Sequence, residues 1–169
     1  MKKIFLILIF SNFLLSELVL EITQGTEDPY RVALLPFKGD VDISSTLNKV
    51  IKNNLNRSGE FKIFDSETLL SIPKDETEIV FNDFKILNVD YLVMGEIISE
   101  GSSISVVYEV YDINKSSKVR TSTVYGIPNK NRQLGHYVSD GIYEEITGIR
   151  GIASTKILYV TQEKTFNLV

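Results

Sequence analysis

The residues that could carry chemistry are concentrated near the C-terminal end of the chain. His136 is the sole histidine, and Asp140 and Glu144 follow it at four-residue spacing. A histidine beside a carboxylate is suited to general acid–base catalysis, and two carboxylates at this spacing share one face of a helix. Catalysis also needs a group that orients the base, and none accompanies His136 in the sequence. Because His136 follows Leu134 by roughly 200° around a helix, we expect it away from the apolar face, in a surface or structural role.

The carboxylates of this stretch are interpreted as a solvated acidic face. Asp140, Glu144 and Glu145 have no cluster of histidines beside them, and the chain contains no cysteine. A structural zinc site would need cysteines or several histidines. A Gly-rich phosphate loop is also missing from the sequence, since Gly95 and Gly101 lie in or between predicted strands. We therefore expect no enzyme activity, no bound metal and no cofactor.

The net charge argues against a nucleic-acid partner. The chain has 18 basic and 22 acidic residues, and its first sixteen residues contain Lys2 and Lys3 but no acid. Without those sixteen residues the balance is 16 basic to 22 acidic, a net charge of −6. Nucleic-acid binding needs a basic surplus that displaces the counterions of phosphate groups. Lys115, Lys118 and Arg120 are interpreted as the solvated end of a hairpin, and no small-molecule substrate is predicted.

The first sixteen residues have the pattern of a secretory signal peptide. Lys2 and Lys3 precede a twelve-residue apolar stretch from Ile4 to Leu15, and Ser16 supplies a small residue for cleavage. Cleavage there would place the mature protein outside the cytoplasm. An uncleaved membrane anchor is the alternative, although a spanning helix needs about 20 apolar residues. A lipid anchor would require a cysteine, and the chain has none.

The segment after the leader has the pattern of a short β-strand. It alternates loosely, with one face formed by Leu18, Leu20 and Ile22 and the other by Val19, Glu21 and Thr23. Gly25 and Pro29 break this pattern before the next element. Two interpretations remain open: an edge strand of the protein's own sheet, or a strand donated to another protein.

The first half of the remaining chain predicts a buried strand followed by a helix. Val32 to Leu35 is apolar on both faces, which is typical of a central strand, and Pro36 ends it. The helix is predicted to begin at an Asp42 N-cap and to end at Gly59, with apolar positions at Leu47, Val50, Ile51 and Leu55. A short strand (61–65), a helical turn (66–72) and a short helix follow, the last marked by Phe81, Phe84 and Leu87.

The second half predicts two hairpins and a long helix. Residues 90–98 are apolar on both faces, and turns at 100–102 and 114–117 connect two further strands. A helix over 129–148 carries an apolar stripe at Leu134, Val138, Ile142 and Ile146. A last strand is predicted over 155–161. The order β, β, α, β, α, β, β, β, α, β predicts an α+β fold, in which a mixed sheet of about five strands packs against two main helices on one side.

Three tracts, supported by two shorter ones, share the pattern of a known family. They are ELVLEITQG (17–25), RVALLPF (31–37) with NRSGEF (56–61), and GHYVSDGIYEEITGIRG (135–151) leading into TKILYV (155–160). DYLVMGEI (90–97) and YEVYDI (108–113) match the intervening strands. Together they resemble the amino-terminal domain of the TolB family, the periplasmic component of the Tol-Pal cell-envelope system. The third tract is the most specific.

The resemblance implies a periplasmic, non-enzymatic protein that supports outer-membrane integrity and cell division. It implies that the mature N-terminus binds TolA, the inner-membrane partner, through Glu17, Leu18, Val19, Leu20, Glu21, Ile22, Thr23 and Gln24. The expected organisation is a signal peptide (1–16), an N-terminal strand and linker (17–29), an α/β domain (30–152) and the start of a truncated propeller strand (153–169).

The resemblance also has a limit, because this sequence ends at Val169. Members of the family continue into a β-propeller that docks the lipoprotein Pal, so Pal binding does not carry over. A truncated product, half of a split gene and a free-standing domain all remain open. Two other functions also remain open: a periplasmic regulatory domain of cell-wall synthesis or secretion machinery, and a non-functional remnant.

Overall fold

The computed structural model confirms the α+β fold predicted from the sequence, and it describes residues 28–127 and 129–156. The strands are β1 (Tyr30–Leu34), β2 (Phe61–Phe64), β3 (Tyr91–Glu100), β4 (Ser103–Asp112) and β5 (Ser117–Gly126). The helices are α1 (Val41–Ser58), α2 (Phe81–Ile86) and α3 (Asn131–Thr147). Single 3₁₀ turns at Ser66–Thr68 and Glu76–Glu78 lie between β2 and α2.

The five strands form one mixed sheet in the order β2-β1-β3-β4-β5. β1 lies parallel to both of its neighbours, β2 and β3. Parallel neighbours need a long connection, which α1 supplies between β1 and β2. The strands β3, β4 and β5 form an antiparallel meander joined by the two predicted hairpin turns.

The helix α1 begins two residues earlier than the sequence predicts. Its N-cap is Asp40, whose Oδ1 accepts hydrogen bonds from the main-chain N–H groups of Asp42 and Ile43, both at 3.0 Å. Asp42, the predicted cap, lies instead in the first turn, where its negative charge suits the helix dipole. The predicted end is confirmed: Gly59 adopts a left-handed conformation with φ of 78°.

Both faces of the sheet are covered, although we expected helices on one side only. The helices α1 and α3 bury the predicted stripes, among them Leu47, Ile51 and Ile142, against one face. On the opposite face, Phe84 of α2 packs in a second cluster with residues such as Leu92. The reason lies in β1 and β3, which are apolar on both faces and need cover on each.

A close approach holds α3 against α1. A Cβ atom added at Gly135 would lie 2.9 Å from Cβ and Cγ1 of Val50, so only glycine fits this contact. The predicted stripe of α3 is confirmed, with Leu134, Val138 and Ile142 almost fully buried. The predicted strand at 17–23 lies outside the described residues. Of the strand predicted over 155–161, only residues 155–156 are described, and they are irregular.

Candidate partner-binding site

The predicted partner segment, Glu17–Gln24, lies outside the described residues, as does the predicted cleavage point at Ser16. The described chain begins at Asp28 and passes directly into β1. Both edges of β1 are hydrogen-bonded, one to β2 and one to β3, so β1 itself cannot accept a further strand. The described chain therefore begins at an interior strand of the sheet.

The first residues of β1 are fixed by rings and by a carboxylate. The ring of Tyr30 lies 5.8 Å from that of Phe61 and 5.9 Å from that of Tyr91, measured between centroids. The main-chain N–H of Arg31 donates to Oδ2 of Asp90 at 2.9 Å, and the N–H of Asp90 donates back to the carbonyl of Arg31 at 2.7 Å. These contacts give the upstream segment a rigid point of attachment.

A groove of about 410 Å³ lies beside this attachment point, and its charges are paired within the protein. The Arg31 side chain lies 3.4 Å from Asp90, and the Lys115 ammonium lies 2.8 Å from Asp112. Burial alone would raise the pKa of Asp112, but hydrogen bonds from the side chain and main chain of Lys115 outweigh it and lower that pKa. Burial, followed by the charge of Asp112, raises the pKa of Tyr91.

His136 lies in the contact between α1 and α3, which corrects its predicted position away from the apolar face. Its Nδ1 is 2.9 Å from Nδ2 of Asn54, and the same Nδ2 donates to Oγ of Ser139 at 2.9 Å. The Ser139 hydroxyl in turn donates to the carbonyl of Gly135 at 2.6 Å. This geometry fits a structural role for His136, because the imidazole and the Asn54 amide join two helices.

The acidic residues of α3 also differ from the predicted solvated face. Asp140 accepts hydrogen bonds from the main-chain N–H groups of Ala153 at 2.6 Å and Ser154 at 2.8 Å. Glu145 reaches the sheet, where Oε1 accepts hydrogen bonds from the hydroxyls of Tyr108 and Ser122.

Of these three carboxylates, Glu144 is exposed, whereas Asp140 and Glu145 are half-buried. The pKa of Tyr108 is raised, first by burial and then by the charge of Glu145. The three carboxylates therefore do not converge on a common point where they could act together on a substrate.

The part of α3 that faces α1 borders a cleft of about 610 Å³. Its third wall is the loop over residues 149–155, which Asp140 holds against the helix. Gly151 lies so close to α3 that an added Cβ would be 2.5 Å from Cα of Asp140. The cleft therefore lies beside the last described residues.

Asn54 is the residue of this region that the sequence analysis missed. A signal was present, because Asn54 lies seven residues after Leu47 and four after Val50, which places an amide on the apolar stripe of α1. A polar group at such a position needs a hydrogen-bond partner, which here is the pair His136 and Ser139 on α3.

The described residues contain neither a cluster of metal ligands nor a membrane-spanning helix. Within residues 28–127 and 129–156, no three His, Cys, Asp or Glu side chains are grouped so that they could hold a metal ion. In the same part of the chain, each helix is too short or too polar to cross a bilayer.

Comparison with known proteins identifies the family. The family model described as the TolB amino-terminal domain matches residues 18–119. The chain belongs to this family. The TolB match includes all but the first residue of the predicted partner segment, and it extends through the sheet into β5.

Named TolB relatives align over most of the chain. It is 34% identical over 150 residues to the Tol-Pal system protein TolB of Alcanivorax borkumensis, which is 88% of this chain and 35% of that protein. Its identity to the protein of the same name from Hahella chejuensis is 35%, over 97% of this chain and 40% of that protein. The chain thus spans somewhat more than a third of the length of these TolB relatives.

A solved TolB structure has the same fold. The crystal structure of TolB from Acinetobacter baumannii superposes with a TM-score of 0.67 at 30% sequence identity. The superposition covers 79% of this chain and 32% of that one.

Proposed function

We propose that this chain is a periplasmic protein–protein interaction component of the Tol-Pal envelope system, which supports outer-membrane integrity and cell division. Its curated relatives carry the name of that system. In this proposal residues 1–16 are removed on export, and the mature N-terminus binds a TolA-like inner-membrane protein through residues 17–24. The proposal does not include binding to Pal, because the family resemblance assigns Pal binding to a propeller.

The observation that carries the proposal is the start of the family match at residue 18. Leu18 is the second residue after the predicted cleavage point, so the match begins where the mature chain would begin. Residues that belonged only to a leader would have no reason to fit a domain family. The segment that alternates like a strand is thus counted by the family as part of its domain.

The attachment of this segment supports strand addition to a partner. β1 is paired on both edges and fixed by Tyr30 and Arg31, so partner binding at 17–24 does not require the sheet to open. Strand addition gains main-chain hydrogen bonds together with side-chain pockets, and the segment loses conformational entropy when it is held. For so few residues we expect a micromolar complex, about −8 kcal/mol.

We propose binding rather than catalysis as the mode of action. The side chains best suited to acid–base chemistry serve the fold: His136 joins α3 to α1, and Asp140 holds the loop that follows α3. A catalytic role would need these groups to be free to meet a substrate.

The proposal is tested by comparing the two faces of the segment. The mature chain is used to capture the periplasmic domain of the TolA-like protein from the same organism. We expect capture to be lost when Leu18, Leu20 and Ile22 are all changed to serine, because that face supplies the apolar anchors. The control variant has Val19, Glu21 and Thr23 changed to serine, so that the segment keeps the same length and the same number of substitutions. Capture should persist in this variant.

Two results would contradict the proposal. Undiminished capture by the Leu18, Leu20 and Ile22 variant would show that the face does not dock. Undiminished capture after deletion of residues 17–24 would show that the partner binds elsewhere on the domain.

A further inference from the structure

The sheet has an open edge at β5. This strand is the last in the sheet order, and among residues 28–127 and 129–156 no strand lies beyond it. None of its ten residues is buried. An uncovered edge presents a row of N–H and C=O groups on which a further strand can form, whereas the other edge of the sheet, β2, is protected by its length of only four residues.

The outward N–H and C=O groups of β5 fall on its odd-numbered residues. The N–H of Ile113, just after β4, donates to the carbonyl of Asp90, just before β3, at 2.9 Å. Odd-numbered residues of β4 therefore bond to β3 and even-numbered ones to β5, because successive residues of a strand direct these groups to opposite sides. Over residues 120–126 the even-numbered residues of β5 lie opposite the even-numbered residues of β4. The residues left to face outward are Thr121, Thr123 and Tyr125.

The features that protect natural strand edges lie in the first half of β5. A β-bulge leaves Val119 without a partner on β4, and Lys118 and Arg120 flank it. Bulges and basic side chains both discourage pairing between edges. Residues 121–125 pair with β4 in regular register, contain no charge and no proline, and have the sequence TSTVY, which is rich in strand-forming types. The second half of β5 is therefore the part of the edge that is open to pairing.

We propose that residues 121–125 pair with the same residues of a second copy of this chain, antiparallel about a two-fold axis at Thr123. A two-fold interface uses one surface twice, and two-fold dimers are the commonest oligomers. In this register Thr121 lies opposite Tyr125 of the partner subunit, a β-branched and aromatic pair of the kind that stabilises sheets. Tyr125 is 77% exposed in the single chain, so its ring is available for this contact.

The charges of β5 favour a second copy of the chain in this orientation. The Arg120 residues of the two chains lie about 20 Å apart along the paired strands, because each is opposite residue 126 of the other chain. Repulsion over this distance is screened at physiological salt, where the Debye length is about 8 Å. The Lys118 ammonium is already paired with Glu76 and Glu109, so the edge does not call for an acidic strand from a different protein. This inference does not depend on the partner proposed for residues 17–24.

A charge placed on the two-fold axis tests the arrangement. Thr123 is exposed, and in the proposed dimer it lies opposite its own counterpart. Thr123→Lys therefore sets two ammonium groups against each other, and Thr123→Glu sets two carboxylates against each other. The dimer dissociation constant of the mature chain is measured by sedimentation equilibrium, and we expect it to be on the order of 100 micromolar because one strand pair is a small interface. Each variant alone should raise it about tenfold, and an equimolar mixture of the two should restore it.

Thr121→Lys is the matched control for the position of the axis. It adds the same charge to the same edge, but the two ammonium groups then lie about 13 Å apart along the strands. Screening over this distance should hold the change in the dissociation constant below about threefold. Recovery of the dimer in the Lys and Glu mixture also shows that both Thr123 variants are folded.

Four outcomes would overturn the proposal. A native chain that remains monomeric up to about 1 mM would show that the edge does not pair with itself. Equal dissociation constants for the native chain and Thr123→Lys would place any dimer interface elsewhere. Equal effects of Thr121→Lys and Thr123→Lys would contradict the two-fold register. Association that requires addition of the TolA-like domain would assign the edge to that protein.

Discussion

At the residue scale, the polar side chains of α3 act as connectors between elements. His136 reaches α1 through Asn54, Asp140 reaches the loop after the helix, and Glu145 reaches the sheet through Tyr108. Each group has its partner outside its own helix, so its role depends on the tertiary fold. This explains why residues of the types found in an acid–base site make structural contacts here.

Asp140 provides the clearest test of this view. Asp140→Asn keeps the size of the side chain but leaves one acceptor oxygen for two main-chain donors, Ala153 N–H and Ser154 N–H. We expect the free energy of unfolding to fall by about 1–3 kcal/mol, since one of these half-buried donors loses its partner. Hydrogen exchange at these two amides should accelerate at the same time.

The matched control is Glu144→Gln, an isosteric change at an exposed position of the same helix. We expect it to alter the free energy of unfolding by less than about 0.5 kcal/mol. Equal effects of the two substitutions would mean that the Asp140 contacts do not hold the loop.

At the element scale, the apolar stripes of α1 and α3 account for one half of the core and α2 with its flanking turns for the other. The second half is held to the sheet by charge as well as by packing. The Lys118 ammonium on β5 lies 2.8 Å from Glu109 on β4 and 2.6 Å from Glu76 in a 3₁₀ turn. Lys118 was predicted to lie in a solvated hairpin end with Lys115 and Arg120. It instead holds the 3₁₀ turn of Glu76 against the second face of the sheet.

The α3 stripe is tested by Ile142→Ala. Ile142 has no exposed surface, so the substitution should lower the free energy of unfolding by roughly 2–5 kcal/mol, measured in urea. Ile86→Ala is the matched control, because Ile86 on α2 is 63% exposed and should lose less than about 0.5 kcal/mol. A loss at position 142 as small as at position 86 would contradict the assigned helix face.

The charged contacts predict how stability depends on pH. Burial would raise the pKa of Glu109, but hydrogen bonds from Lys118 and Tyr111 outweigh it and lower that pKa below its ordinary value of 4.5. A carboxyl whose pKa is lower in the folded state stabilises the fold above its ordinary pKa, and this contribution disappears as pH falls through the folded value. We therefore expect the free energy of unfolding to fall as the pH is lowered from about 5 through the acid range.

A Glu109→Gln variant should show a smaller fall over this pH range, since the group that titrates is gone. Glu100→Gln, at the exposed end of β3, serves as the control and should retain the fall of the native chain. If urea unfolding gives the same pH dependence for the Glu109→Gln variant and the native chain, the Lys118 contacts do not contribute as described.

At the scale of the whole molecule, apolar periodicity predicts the α+β class and the order of the elements, but not the cover on the second face of the sheet. Strands that are apolar on both faces, such as β1 and β3, predicted a buried sheet, and the stripes of α1 and α3 predicted the helices that cover it. The predicted elements within residues 30–148 are confirmed with small shifts of their ends, such as the cap at Asp40 in place of Asp42.

The contacts of the candidate sites could not be predicted in the same way. Asn54 and His136 are 82 positions apart, so no local pattern reports that they meet. The cover of the second face by Phe84 likewise depends on how a loop-rich segment folds back over the sheet. The partner segment at residues 17–24 remains a prediction, because it lies outside the described residues.

The central claim is that the start of the mature chain binds a TolA-like protein, and calorimetric titration tests it most directly. The mature chain from Glu17 and a chain that begins at Gly25 are each titrated with the periplasmic domain of that protein. We predict a micromolar Kd, about −8 kcal/mol, for the longer chain and no measurable heat of binding for the shorter one. Equal dissociation constants for the two chains would contradict the account.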